Sequence, residues 1–179
     1  MKRIIFLGDS ITEAFPVESL LPEYTIINKG VFGDRTDLVL RRLESDVIEL
    51  KPDCVFILVG TNDIAALFSD DTLLANYDRM LHALQNKLTD AHIYSESILP
   101  TRGFENRPSQ RILLLNSELK KMAEKNNVVF LDIYPLFLDD EGRLAERFSA
   151  DGLHLTLEGY RRWAECLRPV LLTEMMGEQ

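Results

Sequence analysis

The stretch Asp53–Ile64, DCVFILVGTNDI, decides the fold class. From Cys54 to Val59 every residue is apolar, with no alternation between faces, and a small, polar run, GTND, follows at once. Apolar on both sides and ended by turn residues is how a strand inside a parallel sheet reads, covered by helices on both faces. Four other segments share that character: RIIFL (Arg3–Leu7), YTIIN (Tyr24–Asn28), AHIYSESIL (Ala91–Leu99) and NVVFLDI (Asn127–Ile133). Between and after them run helical periods: DLVLRRLESDVIEL (Asp37–Leu50), TLLANYDRMLHALQNKL (Thr72–Leu88), SQRILLLNSELKKMAEK (Ser109–Lys125) and LEGYRRWAECLRPVLLTEM (Leu157–Met175). Strands alternating with helices of crossover length predict a three-layer α/β/α sandwich around a flavodoxin-like parallel sheet of about five strands.

Length and composition agree with a single domain over residues 1–179, since 46% of the residues are hydrophobic and no linker or repeat interrupts the chain. Twenty Lys and Arg against 29 Asp and Glu give a net charge of −9 with no long basic run, which argues against a nucleic-acid partner. The start MKRIIFLGDS is too short in apolar residues for a secretory signal, and no segment approaches the roughly 18 apolar residues of a membrane span, so a cytoplasmic location is expected. Cys54 and Cys166 read as small core residues rather than as a redox or metal pair.

In open α/β sheets ligands bind beyond the carboxyl ends of the strands. There the chain carries GDSIT (Gly8–Thr12), NKGVFGDRT (Asn28–Thr36), GTNDI (Gly60–Ile64) and LPTRGFENRP (Leu99–Pro108), and before the last helix DGLHLT (Asp151–Thr156). Each has a bland reading. Ser10 to Glu13 fits a capping box, Gly30 and Gly33 fit turn glycines, Asn62-Asp63 fits a turn with a helix cap, and Asp151-Gly152 with Thr156 fits a turn before a helix. His154 has no such architectural excuse, and the conjunction favours chemistry.

Acyl transfer needs a nucleophile, a base, a group that orients the base, and donors aimed at a developing oxyanion. Ser10, at a strand-to-helix turn, offers a hydroxyl and its own N–H; Gly33 offers a second N–H, and the Asn62 amide a third donor. His154 offers the base and Asp151 the orienting carboxylate, three residues apart on one glycine turn.

This set, in this order, resembles the SGNH hydrolases of the GDSL esterase/lipase family. The resemblance runs from FLGDSIT through NKGVFGDRT and VGTNDI to DGLHLTLEGY, nearly the whole chain. It implies that Ser10 is the nucleophile, that Ser10, Gly33 and Asn62 form the oxyanion hole, and that Asp151 and His154 complete a triad, with Asp9 a structural partner beside the nucleophile. It implies no metal and no cofactor. Within the family, ILPTRGFENRP and DGLHLT resemble the branch of platelet-activating-factor acetylhydrolase catalytic subunits and bacterial acetylesterases, which implies a small-molecule ester with a short acyl group on an alcohol, sugar or lysolipid-like moiety.

Several residues stand outside that set. Arg35, Arg102, Phe104 and Arg107 follow the second and fourth strands, where they can meet substrate or be ordinary loop side chains. His82 and His92 lack ligand-type neighbours at metal spacing and read as surface or packing histidines. Leu67-Phe68 and the segment PVLLTEMM can form a homodimer patch or pack on the core, and Met175 and Met176 read as a frayed tail. Two rival functions remain open: an acyltransferase using the same site, and a flavodoxin-like receiver or binding module with Mg²⁺ held by Asp9 and Asp63. The receiver reading lacks an acceptor Asp at the end of the third strand, which runs Val59-Gly60-Thr61, and a Lys after the fifth.

Overall fold

In the computed structural model, which describes residues 2–176, five strands pair in parallel in the order β2-β1-β3-β4-β5. They are β1 (Arg3–Gly8), β2 (Thr25–Gly30), β3 (Cys54–Leu58), β4 (His92–Glu96) and β5 (Val129–Leu131). The helices are α1 (Ser10–Glu13), α2 (Val17–Leu20), α3 (Thr36–Asp46), α4 (Thr61–Ala65), α5 (Asp70–Lys87), α6 (Ser109–Lys125) and α7 (Leu157–Met176). The strand order reverses once, because β2 lies on one side of β1 and β3, β4 and β5 lie on the other.

Parallel crossovers are right-handed almost without exception, so a reversal of direction sends the connection to the opposite face of the sheet. Accordingly α3, α5 and α6 pack on one face against Ile5, Leu7, Val55 and Ile57. On the other face α1, α2 and α7 pack against Ile4, Phe6, Phe56 and Leu58. No helix among the described residues is long and apolar enough to cross a membrane.

Helix α7 closes the second face through Tyr160, Trp163, Ala164, Leu167 and Leu171, all buried and spaced as one helical stripe. Trp163 stacks on Phe15 at 4.6 Å and on Phe6 at 6.4 Å. Each large side chain of this kind contributes about 1.5–3 kcal/mol by leaving water. The Tyr160 hydroxyl donates to the Ile11 carbonyl at 2.8 Å, tying α7 to α1. At the far end of α7, buried Glu174 accepts from Lys2 at 3.1 Å, His92 at 2.6 Å, the Cys54 thiol at 3.2 Å and the Tyr94 hydroxyl. Burial opposes its ionisation, but these donors prevail and hold its carboxyl at about 2. A cavity of about 430 Å³ opens there between Lys2, Gln85, His92, Tyr94 and Asn127, at the amino ends of the strands.

The third, fourth and fifth strands are shorter than their apolar runs suggest. The run Ala91–Leu99 leaves the sheet after Glu96, because the Asn116 side chain takes the place of a neighbouring strand, accepting the Ile98 N–H at 2.8 Å and donating to its carbonyl at 2.9 Å. The run Asn127–Ile133 keeps only three strand residues, since β5 is an edge strand paired with β4 alone and a 3-10 turn follows at Tyr134. The run Asp37–Leu50 breaks after Asp46 into a 3-10 turn at Ile48–Leu50. Met175 and Met176 are not a frayed tail but the last turn of α7. Within PVLLTEMM, Leu171 is buried while Leu172 is exposed; Leu67 is also exposed, and Phe68 is half-buried beneath Arg35.

Two residues give tests of this packing. A Cβ on Gly30 would sit 2.5 Å from the Glu13 Cα and 2.6 Å from the Thr12 carbonyl carbon, so Gly30→Ala must push α1 off β2. The expected loss is about 1–3 kcal/mol in urea unfolding, and an unchanged midpoint would contradict this packing. Glu96, at the end of β4, accepts from the Trp163 indole at 2.6 Å, yet burial pushes its carboxyl up to about 8 from an ordinary 4.5. The folded state binds that proton more tightly than the unfolded chain, so stability falls as pH rises from the unfolded value through the folded one. Glu96→Gln keeps the indole's acceptor, and its thermal stability relative to wild type should be unchanged near pH 4 and rise through pH 8; a pH-independent difference would refute the assignment.

Candidate active site

The winding reversal puts the ends of β1 and β3 side by side, with the end of β2 flanking β1. After Gly8, extended Asp9 accepts the Ile11 N–H at 2.9 Å and caps α1, so Ser10 becomes its first residue. The capping-box reading of Ser10 therefore does not hold, because the cap is Asp9 and the Ser10 hydroxyl is free for another partner. That partner is His154, whose Nε2 lies 3.0 Å from the Ser10 Oγ.

His154 Nδ1 donates to Asp151 Oδ2 at 2.7 Å. Asp151 Oδ1 accepts the backbone N–H groups of Leu153 at 2.9 Å and His154 at 2.8 Å, and the Ser149 hydroxyl at 3.2 Å. Partial desolvation works against the Asp151 charge, but His154 and the two backbone donors outweigh it and hold the carboxyl well below the usual range. An ionised carboxylate on Nδ1–H fixes the tautomer and leaves Nε2 free to accept the serine proton. Asp151 and His154 are partly exposed, at 54% and 38% of their side chains, while Ser10 is 7% exposed, so the pair faces solvent and the serine is its recessed partner.

The turn that carries the pair is buttressed by Arg102. Its guanidinium donates to the carbonyls of Leu144 at 3.1 Å and Ser149 at 2.7 Å, and its N–H to the Gly152 carbonyl at 2.9 Å. Arg102 is thus committed to the loop and does not project as a free substrate contact. Ser149, which sequence reasoning passed over, accepts the Gly152 N–H at 2.9 Å as well as donating to Asp151. A serine two residues before Asp-Gly is a hydroxyl turn signal that was available.

Gly33 lies in a turn closed by the Asp34 N–H on the Val31 carbonyl at 3.1 Å, and its φ of 77° is the left-handed value that such a third turn position demands. A Cβ there would meet open space, and its N–H has no partner among the described residues. Gly30 differs, being required by close packing on α1. Asn62, the second residue of α4, donates through Nδ2 to the Asp34 carbonyl at 2.9 Å, which links the loops after β2 and β3. Asn28 braces the same region, donating to the Thr12 carbonyl at 2.7 Å and accepting the Gly30 N–H at 2.9 Å.

Asp63 does not cap its own helix. Its carboxylate accepts the Thr36 N–H at 3.0 and 3.1 Å together with the Thr36 hydroxyl, capping α3 from within α4. Asp9 is buried, with Oδ2 unpartnered, and burial pushes its carboxyl up to about 7 against the opposing pull of the Ile11 N–H and His154. A pair of carboxylates already absorbed in two helix caps is poorly arranged to hold Mg²⁺. Arg35 pairs with Asp37 at 3.1 Å and stacks over Phe68 at 5.0 Å. His82 donates to the Asp78 carbonyl at 3.0 Å, and His92 belongs to the Glu174 cluster.

Comparison with known proteins bears on the chain's family and fold. The platelet-activating factor acetylhydrolase IB subunit alpha1 of Mus musculus is 27% identical over 184 residues, covering 99% of this chain and 78% of its own. The solved structure of a GDSL-like lipase from Bacteroides thetaiotaomicron superposes with a TM-score of 0.86 at 27% identity, covering 96% of this chain and 88% of the other. An acetylxylan esterase from Geobacillus stearothermophilus shares the fold at a TM-score of 0.78 and 23% identity, covering 97% and 95% of the two chains. The family model described as GDSL-like lipase/acylhydrolase matches residues 6–162, and the chain therefore belongs to that family, as a carboxylic ester hydrolase.

Proposed function

We propose that the chain hydrolyses esters of short acyl groups, acetyl foremost, through a covalent acyl-enzyme on Ser10. The observation that carries this reading is the unbroken series of hydrogen bonds from Ser10 Oγ through His154 to Asp151. The Ser10 oxygen attacks the ester carbonyl carbon while its proton passes to His154 Nε2. The tetrahedral oxyanion is held by the N–H groups of Ser10 and Gly33 and by the Asn62 amide. As the intermediate collapses, the C–O bond to the alcohol breaks and His154 returns the proton to the departing alkoxide. Water then attacks the acyl-enzyme along the same path, releasing the acid and restoring the Ser10 hydroxyl. Asp151 stays ionised throughout, orienting the imidazole and balancing the charge it acquires.

The acyl preference draws on two supports. One relative is an acetylhydrolase subunit, and the Asp151–His154 pair beside Ser10 faces solvent. A small-molecule ester whose alcohol portion stays in solvent suits such a site, an alcohol or sugar acetate among them.

Initial rates with p-nitrophenyl acetate test the reading, with folding of each variant checked by circular dichroism. Ser10→Ala should lower kcat by about 10⁶ and Asn62→Ala by about 10²–10³. On p-nitrophenyl esters of increasing chain length, kcat/KM of the wild type should fall beyond the shortest acyl groups. A folded Ser10→Ala enzyme that retains wild-type turnover would refute the nucleophile assignment.

A further inference from the structure

Arg107 lies on the loop between β4 and α6, outside the triad and the three oxyanion donors. The loop is built to place it: Gly103 takes a φ of 81°, the Arg107 N–H donates to the Phe104 carbonyl at 3.1 Å, and the Thr101 hydroxyl donates to the Arg107 carbonyl at 3.0 Å. The guanidinium stacks over the Phe104 ring, 5.1 Å from its centroid, and faces the start of α4. There its Nε donates to the Thr61 carbonyl at 3.2 Å and an Nη donates to Asn62 Oδ1 at 3.4 Å.

Asn62 is thereby held from two sides. Its carbonyl oxygen faces a cation that can only donate, and its NH₂ group faces the Asp34 carbonyl, which can only accept. Rotating the amide by half a turn would oppose donor to donor and acceptor to acceptor at both contacts. In the observed orientation one Nδ2 hydrogen is used by Asp34 and the other is left for a ligand. A hydrogen bond from a cation to the amide oxygen also polarises the amide and strengthens its remaining N–H as a donor.

We infer that Arg107 is a positioning residue of the oxyanion hole, locking and polarising the Asn62 amide so that its free N–H faces the substrate oxygen. The inference rests on the reading of Asn62 as an oxyanion donor. Such a donor acts on the charge that develops in the transition state, so the effect belongs in kcat and not in KM. A side chain that gripped the substrate directly would move KM and would act independently of Asn62.

A double-mutant cycle on p-nitrophenyl acetate separates these cases. Arg107→Ala should lower kcat about 10- to 100-fold with KM within about twofold, a part of the full cost of losing the Asn62 donor. In the Asn62→Ala background the same change should alter kcat by less than about twofold, because its target is gone. Arg107→Met keeps a long apolar stem over Phe104 but no donor, so it should behave as Arg107→Ala does, and it decides the matter if Arg107→Ala does not fold. Wild-type kcat in Arg107→Met, a loss confined to KM, or an equal loss in both backgrounds would overturn the inference while leaving the oxyanion reading intact. A folded Asn62→Ala enzyme with wild-type kcat would overturn both.

Discussion

The structure depends on one constraint, the reversal of winding between β1 and β3. Right-handed crossovers leaving in opposite directions must cover opposite faces, so no connection bridges the carboxyl ends of these two neighbours, and a crevice remains there. The groups of the proposed oxyanion hole and its support sit around that gap. Ser10 follows β1, Gly33 follows β2, Asn62 follows β3 and Arg107 lies on the loop after β4. The loops are knitted to one another by main-chain atoms: the Val31 N–H donates to the Gly8 carbonyl at 3.1 Å, and Asn62 reaches the Asp34 carbonyl.

His154 and Asp151 are far from this group in sequence, and their delivery is a packing problem. The aromatic stack of Phe6, Phe15, Tyr160 and Trp163 seats α7 on the second face, and the Tyr160 bond to Ile11 fixes that helix against the one that begins with Ser10. Arg102 and Ser149 then hold the turn just before α7 so that Asp151 and His154 project together. The Ser10–His154 contact spans 144 residues, yet each link in its support is a short hydrogen bond or a buried ring.

Much of this was legible in the sequence. The first three strands announce themselves as apolar runs ended by small polar motifs, and Ser109–Lys125 is a helix over the range its period marks. Gly33 could be named through the family resemblance, and Asp151 with His154 because a histidine beside Asp-Gly has no structural reason to be there. What stayed hidden depends on contacts between distant segments. Nothing in ILP shows that Asn116 will stand in for a strand, and nothing in TND shows that Asp63 will cap a helix that begins at Thr36. The Asp34 contribution is a backbone carbonyl, which carries no side-chain signal at all. Arg102 and Arg107 looked alike as loop arginines, and only the fold assigns one to the triad turn and the other to Asn62.

The central claim is that a covalent intermediate forms on Ser10. Intact-mass analysis after treatment with a fluorophosphonate, followed by peptide mapping, tests it most directly. The account predicts a single phosphonyl adduct on the peptide containing Ser10, absent from a folded Ser10→Ala variant. An adduct on another residue, or unchanged labelling of the variant, would contradict it.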